Sequence, residues 1–191
     1  MDISHEIGAR YLGAGRCRFR VWAPLQERMS LRILTPEKRT LPMDKEDGGY
    51  FTVIAEDVAE DARYHFLLNN ETERPDPVSR YQPEGVHGPS QVVPADFDWT
   101  DRNWSGIPLE DYIFYELHVG TFTEAGTFEA IIPHLDDLVD LGITAIELMP
   151  IAQFPGGRNW GYDGVYPFAV QDSYGGPSGL KHLVNACHEK G

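Results

Sequence analysis

Residues 112–150, YIFYELHVGTFTEAGTFEAIIPHLDDLVDLGITAIELMP, change hydrophobic period twice, and those changes decide the fold. The run YIFYELHVG (112–120) is almost continuously apolar, as expected of a strand covered on both faces. In GTFEAIIPHLDDLVDLG (126–142), Phe128, Ile131, Ile132, Leu135, Leu138 and Val139 recur at helical spacing and share one face. Thr127 is the expected N-cap and Gly142 the expected stop, while Pro133 predicts a break or kink between them. ITAIELMP (143–150) is a second buried, β-branched run, closed by Pro150. Strand, helix, strand is the opening of a parallel α/β architecture.

Downstream, PSGLKHLVNACHEKG (177–191) repeats the helical pattern. Ser178 is expected to cap it, Leu180, Leu183, Val184 and Cys187 to face inward, and Gly191 to end it. Between the second strand and this helix lies a long loop. Its RNWGYDGVYPF stretch (158–168) carries four rings, Trp160, Tyr162, Tyr166 and Phe168, and one acid, Asp163. Two parallel strands and two helices do not close a sheet, and a (β/α)8 barrel takes roughly 200 residues or more. Residues 104–191 are therefore expected to supply the first two βα units of an incomplete (β/α)8 TIM barrel. Its open, apolar strand edge should leave that part poorly soluble or partly unfolded.

Residues 1–103 follow a different, all-β grammar. RCRFRVWAP alternates, with Cys17, Phe19 and Val21 pointing one way and Arg16, Arg18, Arg20 and Trp22 the other. MSLRILTP, GYFTVIAEDV and ARYHFLLNN continue the pattern, the last through Tyr64, Phe66 and Leu68, with turn clusters between the runs. Short strands so spaced predict a small antiparallel β-sandwich. The Pro-rich segment 75–94 is too rigid for a flexible linker and too broken for a strand. It is expected to run extended along the sandwich, with His87 as a hydrogen-bonded structural side chain. The fold class is thus multi-domain, β plus α/β, divided at 1–103 and 104–191.

The 191 residues carry a formal net charge of −14, which argues against nucleic acid and anionic membranes as partners. Residues 1–103 hold 13 Lys and Arg against 18 Asp and Glu, and residues 104–191 hold 3 against 12. That excess suits a neutral substrate, or is a solvated face. Cys17 and Cys187 lie far apart and away from any cluster with metal-ligand spacing, so inert thiols are expected, with no disulfide and no metal. No other cofactor is called for. MDISHEIGARYLG has no apolar core of a secretory leader, and no stretch approaches the roughly 20 apolar residues of a membrane span. A cytoplasmic location is the expectation. Oligomeric state is not set by the sequence.

Three stretches, YELHVGTFTEAGTF (115–128), LGITAIELMPIAQFPGGRNWGYDGVYPFAV (141–170) and SYGGPSGLKHLVNACHEKG (173–191), resemble the α-amylase superfamily of glycoside hydrolases. PDPVSRYQPEGVHGPSQVV (75–93) is similar to the segment that joins the N-terminal sandwich to the barrel in such enzymes. The resemblance implies an immunoglobulin-like, starch-binding-like β-sandwich ahead of the catalytic barrel. It implies an α-glucan substrate and a retaining mechanism with two carboxylates about 5–5.5 Å apart. Within the superfamily the likeness is greatest to members that cut the α-1,4 bond next to the terminal trehalose of malto-oligosyltrehalose. The family's acids follow later barrel strands, and a third-strand Asp-Val-Val-x-Asn-His motif is expected beyond Gly191. None of these 191 residues is therefore expected to be catalytic, and the chain alone is expected to be inactive. A fragment of a branching or debranching enzyme acting on α-1,6 linkages is the alternative, and a non-catalytic α-glucan-binding module is another.

Carried onto this sequence, the resemblance makes Tyr162 the residue that stacks on the sugar ring to be cleaved. A pyranose presents a C–H face that prefers an aromatic plane; the competing role is packing beneath the loop. Trp160 is either an outer sugar contact or loop packing. Asp163 belongs to the same substrate-binding set, or is a turn former that ties its own backbone. Gly161 and Gly164 are expected to permit the turns that aim the rings. Glu116 and His118, two apart on the first barrel strand, face one side, as a buried hydrogen-bonded pair or as an acid–base couple. Glu147 stands likewise. Trp22 is a possible carbohydrate platform but reads first as a strand end.

Overall fold

The computed structural model describes residues 6–69 and 71–191. The start of the stretch tested for a leader, and Asn70 in the turn after ARYHFLLN, lie outside the described residues. Two sheets form the amino-terminal sandwich. One contains β1 (Gly8–Gly13), β2 (Arg16–Trp22), β5 (Asp44–Lys45) and β6 (Tyr50–Ala55), in the order β1-β2-β6-β5. The other contains β3 (Met29–Ile33), β4 (Arg39–Pro42), β7 (Arg63–Leu68) and β8 (Thr72–Arg74), in the order β4-β3-β7-β8, with β9 (Ser90–Gln91) added on β7. All pairings are antiparallel.

The alternation in β2 places Cys17, Phe19 and Val21 in the core against Leu31, Ile33, Tyr64 and Phe66 of the facing sheet. The Phe19 and Tyr64 rings meet edge-on at 4.8 Å across the two sheets. Arg18 and Arg20, on the opposite face of β2, are also buried. The Arg20 guanidinium lies 4.0 Å over the Tyr50 ring and pairs with Glu46 at 2.7 Å. Trp22 is exposed, its indole N–H donating to the Gly48 carbonyl at 3.0 Å.

Segment 75–94 runs along the sandwich, as its prolines suggest, and is fastened by a buried polar network. Asp76 accepts from the Tyr64 hydroxyl at 2.6 Å and from the Val78 amide at 2.9 Å. Its own N–H donates to Ser90 Oγ, which in turn donates to Gln82 Oε1 at 2.6 Å. His87 is exposed, and among the described residues it has no hydrogen-bond partner, so the structural role expected of it is not met. It sits in the turn between Gly85 and Gly88, closed by the Gly88 amide on the Gly85 carbonyl.

The sequence from Phe114 onward forms β10 (Phe114–Leu117), α1 (Val119–Phe122), α2 (Phe128–Ile131), α3 (Leu135–Asp140) and β11 (Ala145–Leu148). The two strands pair in parallel, Phe114 with Ala145 through Leu117 with Leu148. Thr127 caps α2 by accepting from the Ala130 amide at 3.3 Å. The break expected at Pro133 is a 3-10 turn, Ile132–His134, between α2 and α3. Gly142, at φ +90°, closes a Schellman end: its N–H donates to Val139 and that of Ile143 to Leu138.

Tyr115, Leu117, Ile146 and Leu148 pack with Phe128, Ile131, Leu135 and Leu183. The other face of the pair is open: Phe114, Glu116 and Glu147 are exposed. These strands are therefore half-buried rather than covered on both sides, because every helix among the described residues packs on one face. Val139, expected on the inner helical face, is also exposed.

The long loop contains a hairpin absent from the sequence reading, β12 (Ala152–Gln153) against β13 (Tyr166–Val170). The last helix, α4 (Gly176–Glu189), starts earlier than expected: Gly175 is its N-cap at φ +110°, and Ser178 lies inside the first turn. Pro177 suits the first turn, and the Tyr81 ring lies where a side chain on Gly176 would stand, 2.7 Å from its Cβ position. Tyr81 also donates to Asp172 Oδ1 at 2.9 Å, and His188 meets Asp101 at 2.5 Å beneath a stacked Trp104. These contacts join the two units. No helix among the described residues is long and apolar enough to cross a membrane.

Candidate functional site

Beyond the carboxyl ends of β10 and β11 the chain gathers His118, the loop 154–165 and the β12–β13 hairpin. Two buried glutamines lock the base of that loop. Gln171 Oε1 accepts from the Phe154 amide at 2.9 Å, and its Nε2 donates to Gly156 and to Ser173. Gln153 Oε1 accepts from the Asp172 amide at 3.0 Å, and its Nε2 donates to the Phe154 carbonyl. Each satisfies backbone groups that the short hairpin leaves unpaired, so the loop leaves a rigid base. Phe154, fully buried, rests edge-on against Tyr174 at 5.7 Å.

From this base the four rings divide. Tyr166 is half-buried, and its hydroxyl donates to the Val86 carbonyl at 3.0 Å; burial holds its pKa above the ordinary value. Phe168 is exposed on the outside of β13. Trp160 and Tyr162, 68% and 81% exposed, stand free of the core. Neither packs beneath the loop. They present apolar faces to solvent from a loop that is itself fixed, which is the arrangement needed to stack on a flat polar ligand.

The turn bearing them is organised by Asn159. Its Oδ1 accepts from the amides of Gly161 at 2.6 Å and Tyr162 at 3.0 Å, and its Nδ2 donates to Asp163 Oδ2 at 2.6 Å. Asp163 is exposed and serves this turn through its side chain, with Asn159 rather than Asp163 tying the backbone. Gly161 adopts φ +99° and packs so closely on Pro150 that a Cβ would stand 2.7 Å from Cδ. Gly164 needs no such backbone; its role is a close approach to Ala152, 3.2 Å from where a Cβ would be.

Glu116 and His118 do not pair. Glu116 is exposed opposite Glu147 in the parallel register. The His118 ring turns instead onto the loop, where Nε2 meets the Asn159 carbonyl at 2.5 Å and the Tyr174 hydroxyl at 3.3 Å. Thr121 Oγ1 lies 3.3 Å from Nδ1. Because a carbonyl oxygen only accepts, Nε2 is the donor in the bond to Asn159. His118, Gly120, Thr121, Arg158, Asn159 and Trp160 border a cleft of about 540 Å³. A second hollow, about 490 Å³, lies along β11 among Trp104, Leu138, Ile143, Ile146 and Val184. Its lining is mostly apolar and its His188 is already paired with Asp101, whereas the first cleft lies beside the exposed ring-bearing loop and is the better site.

Burial pushes the Cys17 thiol up to about 12 and raises that of Cys187. Both are protonated at neutral pH. Among the described residues no group of three or more His, Cys, Asp or Glu could hold a metal ion. The arrangement can hold and orient a ligand through rings and hydrogen bonds. Asn159, Gln153, Gln171 and Tyr174 escaped the sequence reading; the two glutamines left a trace as amides in or directly after short apolar runs.

Residues 91–191 match the family model described as alpha amylase, catalytic domain, and residues 6–82 match carbohydrate-binding module 48 (isoamylase N-terminal domain). The chain is 53% identical over 173 residues to the malto-oligosyltrehalose trehalohydrolase of Saccharolobus solfataricus, covering 91% of this chain and 30% of that protein. A crystal structure from Salmonella typhimurium described as an alpha amylase superposes with a TM-score of 0.89 at 40% identity, over 96% of this chain and 31% of that one. The pullulanase type I of Bacillus subtilis, complexed with maltose, gives a TM-score of 0.78 at 25% identity over 96% and 31%. The chain thus spans about 30% of the length of the curated relatives it matches.

Proposed function

From the premise that the chain belongs to the alpha-amylase family, we propose that it is the amino-terminal part of a retaining glycoside hydrolase acting on malto-oligosyltrehalose. The whole protein would hydrolyse the α-1,4 bond next to the terminal trehalose and release trehalose. One observation supports a sugar site above all: Trp160 and Tyr162 stand exposed on a hydrogen-bonded turn beyond the carboxyl ends of two parallel strands. Active sites of this architecture are assembled at that end.

We assign Tyr162 to the sugar ring at the cleaved bond and Trp160 to an outer glucose unit. Asp163 supports them through Asn159. The two carboxylates of the reaction belong, on this view, to the part of the enzyme outside the matched 30% of the relatives. The chain alone is then a half-site without turnover. A division near residue 103 into sandwich and barrel start, and a cytoplasmic location, belong to the same proposal.

The test is product analysis of the full-length protein given malto-oligosyltrehalose. Free trehalose is expected, and Tyr162→Ala should lower kcat/KM by about tenfold or more, the equivalent of one lost stacking contact. The pullulanase likeness favours one rival, action on α-1,6 linkages. Cleavage or transfer of branches without trehalose release would select that rival.

A further inference from the structure

We propose that Asn159 is the positioning residue of the Trp160–Tyr162 platform and that His118 ties it to the barrel strand. The proposal rests on the sugar-contact role given above to those two rings. Both rings are exposed, so core packing does not hold them, and the residues around them form no helix or strand. Polar ties do. Asn159 Oδ1 takes the amides of Gly161 and Tyr162 at 2.6 and 3.0 Å, with a longer 3.4 Å approach from Asp163 N. Its Nδ2 closes the turn on Asp163 Oδ2. The side chain therefore fixes the shape of the turn from inside, as Asx turns do.

The Asn159 carbonyl does the second job. It accepts the Nε2–H of His118, the residue that directly follows β10. Thr121 on Nδ1 and Tyr174 beside Nε2 keep that ring from rotating. Gly120 leaves little room for a side chain: a Cβ there would stand 3.0 Å from Tyr174 Cε1 and 3.1 Å from His118 Cε1. A continuous path thus runs from the end of β10 through His118 and Asn159 to the Tyr162 amide. A platform ordered before the ligand arrives binds with less ordering cost.

The experiment uses the full-length protein, with maltotetraose as probe, isothermal titration for affinity and amide hydrogen exchange for the turn. Asn159→Ala should weaken binding by about tenfold and speed exchange at residues 161–163 by about tenfold, with Tm nearly unchanged because the loop is exposed. The reciprocal pair Asn159→Asp with Asp163→Asn keeps oxygen acceptors for the amides and returns the side-chain bond from the other direction. It should restore affinity to within about threefold, a rescue that general loosening of the loop would not show. Wild-type affinity in Asn159→Ala overturns the proposal, and so does a double variant as weak as the single one. If the wild-type protein itself does not bind maltotetraose, the sugar-contact role fails. The positioning role is then decided by exchange: faster exchange in Asn159→Ala, reversed in the double variant, supports it, and unchanged exchange overturns it.

Discussion

Replacing Asp76 with Asn should make the protein more stable at neutral pH and leave it unchanged in acid. Asp76 is fully buried beneath segment 75–94. Burial raises its carboxyl pKa from 3.8 to about 6, against the opposing pull of the Tyr64 hydroxyl, the Val78 amide and Arg80. The folded state therefore binds this proton more tightly than the unfolded state does. Stability from this group is fully present below pH 3.8, falls as pH rises, and is lost above about pH 6. A rise from 3.8 to about 6 is worth about 3 kcal/mol.

The Asp76→Asn side chain would keep both contacts. Its Oδ1 accepts from the Val78 amide, and its Nδ2 donates to the Tyr64 oxygen, which turns its own proton aside. Urea denaturation of both proteins from about pH 4 to about pH 8 checks this, with the difference between them as the readout. Acid losses from other carboxyls, such as Glu6, whose pKa Arg10 holds down, are common to both and cancel. The variant should match the wild type at about pH 4 and exceed it by about 2–3 kcal/mol at about pH 8. A difference that stays flat across that range would refute the burial-driven shift.

Three further outcomes are expected. Gly161→Ala places a methyl 2.7 Å from Pro150 at a left-handed backbone; it should cost about 1–2 kcal/mol locally and abolish maltotetraose binding, seen by titration. Tyr81→Phe removes the hydroxyl that donates to Asp172. It should lower stability by about 1 kcal/mol and loosen the amides of residues 172–176 in hydrogen exchange, with the sandwich unaffected. Residues 104–191 expressed alone should melt without cooperativity, because the Phe114–Glu116 face of the strand pair is uncovered. A sharp transition with protected amides in β10 and β11 would count against it.

What was legible in the sequence followed strong periodicity and local stereochemistry. The β2 alternation gave the sandwich core, and Thr127, Pro133 and Gly142 marked the cap, break and stop of the first helical crossover. What was missed depended on tertiary neighbours. Ser178 has the chemistry of a cap, but Tyr81 from segment 75–94 lies against Gly176, and the helix begins before the serine. Glu116 and His118 have the spacing of a pair, yet the loop carbonyl of Asn159, 41 residues away from His118, takes the imidazole. The burial expected of YIFYELHVG and ITAIELMP presumed a second layer of cover that the described residues do not provide.

The same dependence explains why Trp160 and Tyr162 on the loop are free to meet a ligand and Tyr166 is not. Tyr166 and Trp160 are equally plausible platforms by residue type. Tyr166, however, lies in β13, whose partner β12 is held by Gln153, and its hydroxyl is committed to Val86 of the segment along the sandwich. The sandwich thus supports the hairpin from behind, and the hairpin carries the loop. Trp160 and Tyr162 lie on the far side of that loop, where the Asn159 side chain bonds within its own turn, to the amides of Gly161 and Tyr162 and to the Asp163 carboxylate. Cutting the support should therefore reach the rings: Tyr166→Phe frees the hairpin from Val86 without touching Asn159, and it should weaken maltotetraose binding less than Asn159→Ala does. Equal losses would mean that the turn has no stiffness of its own and takes its shape from the sandwich.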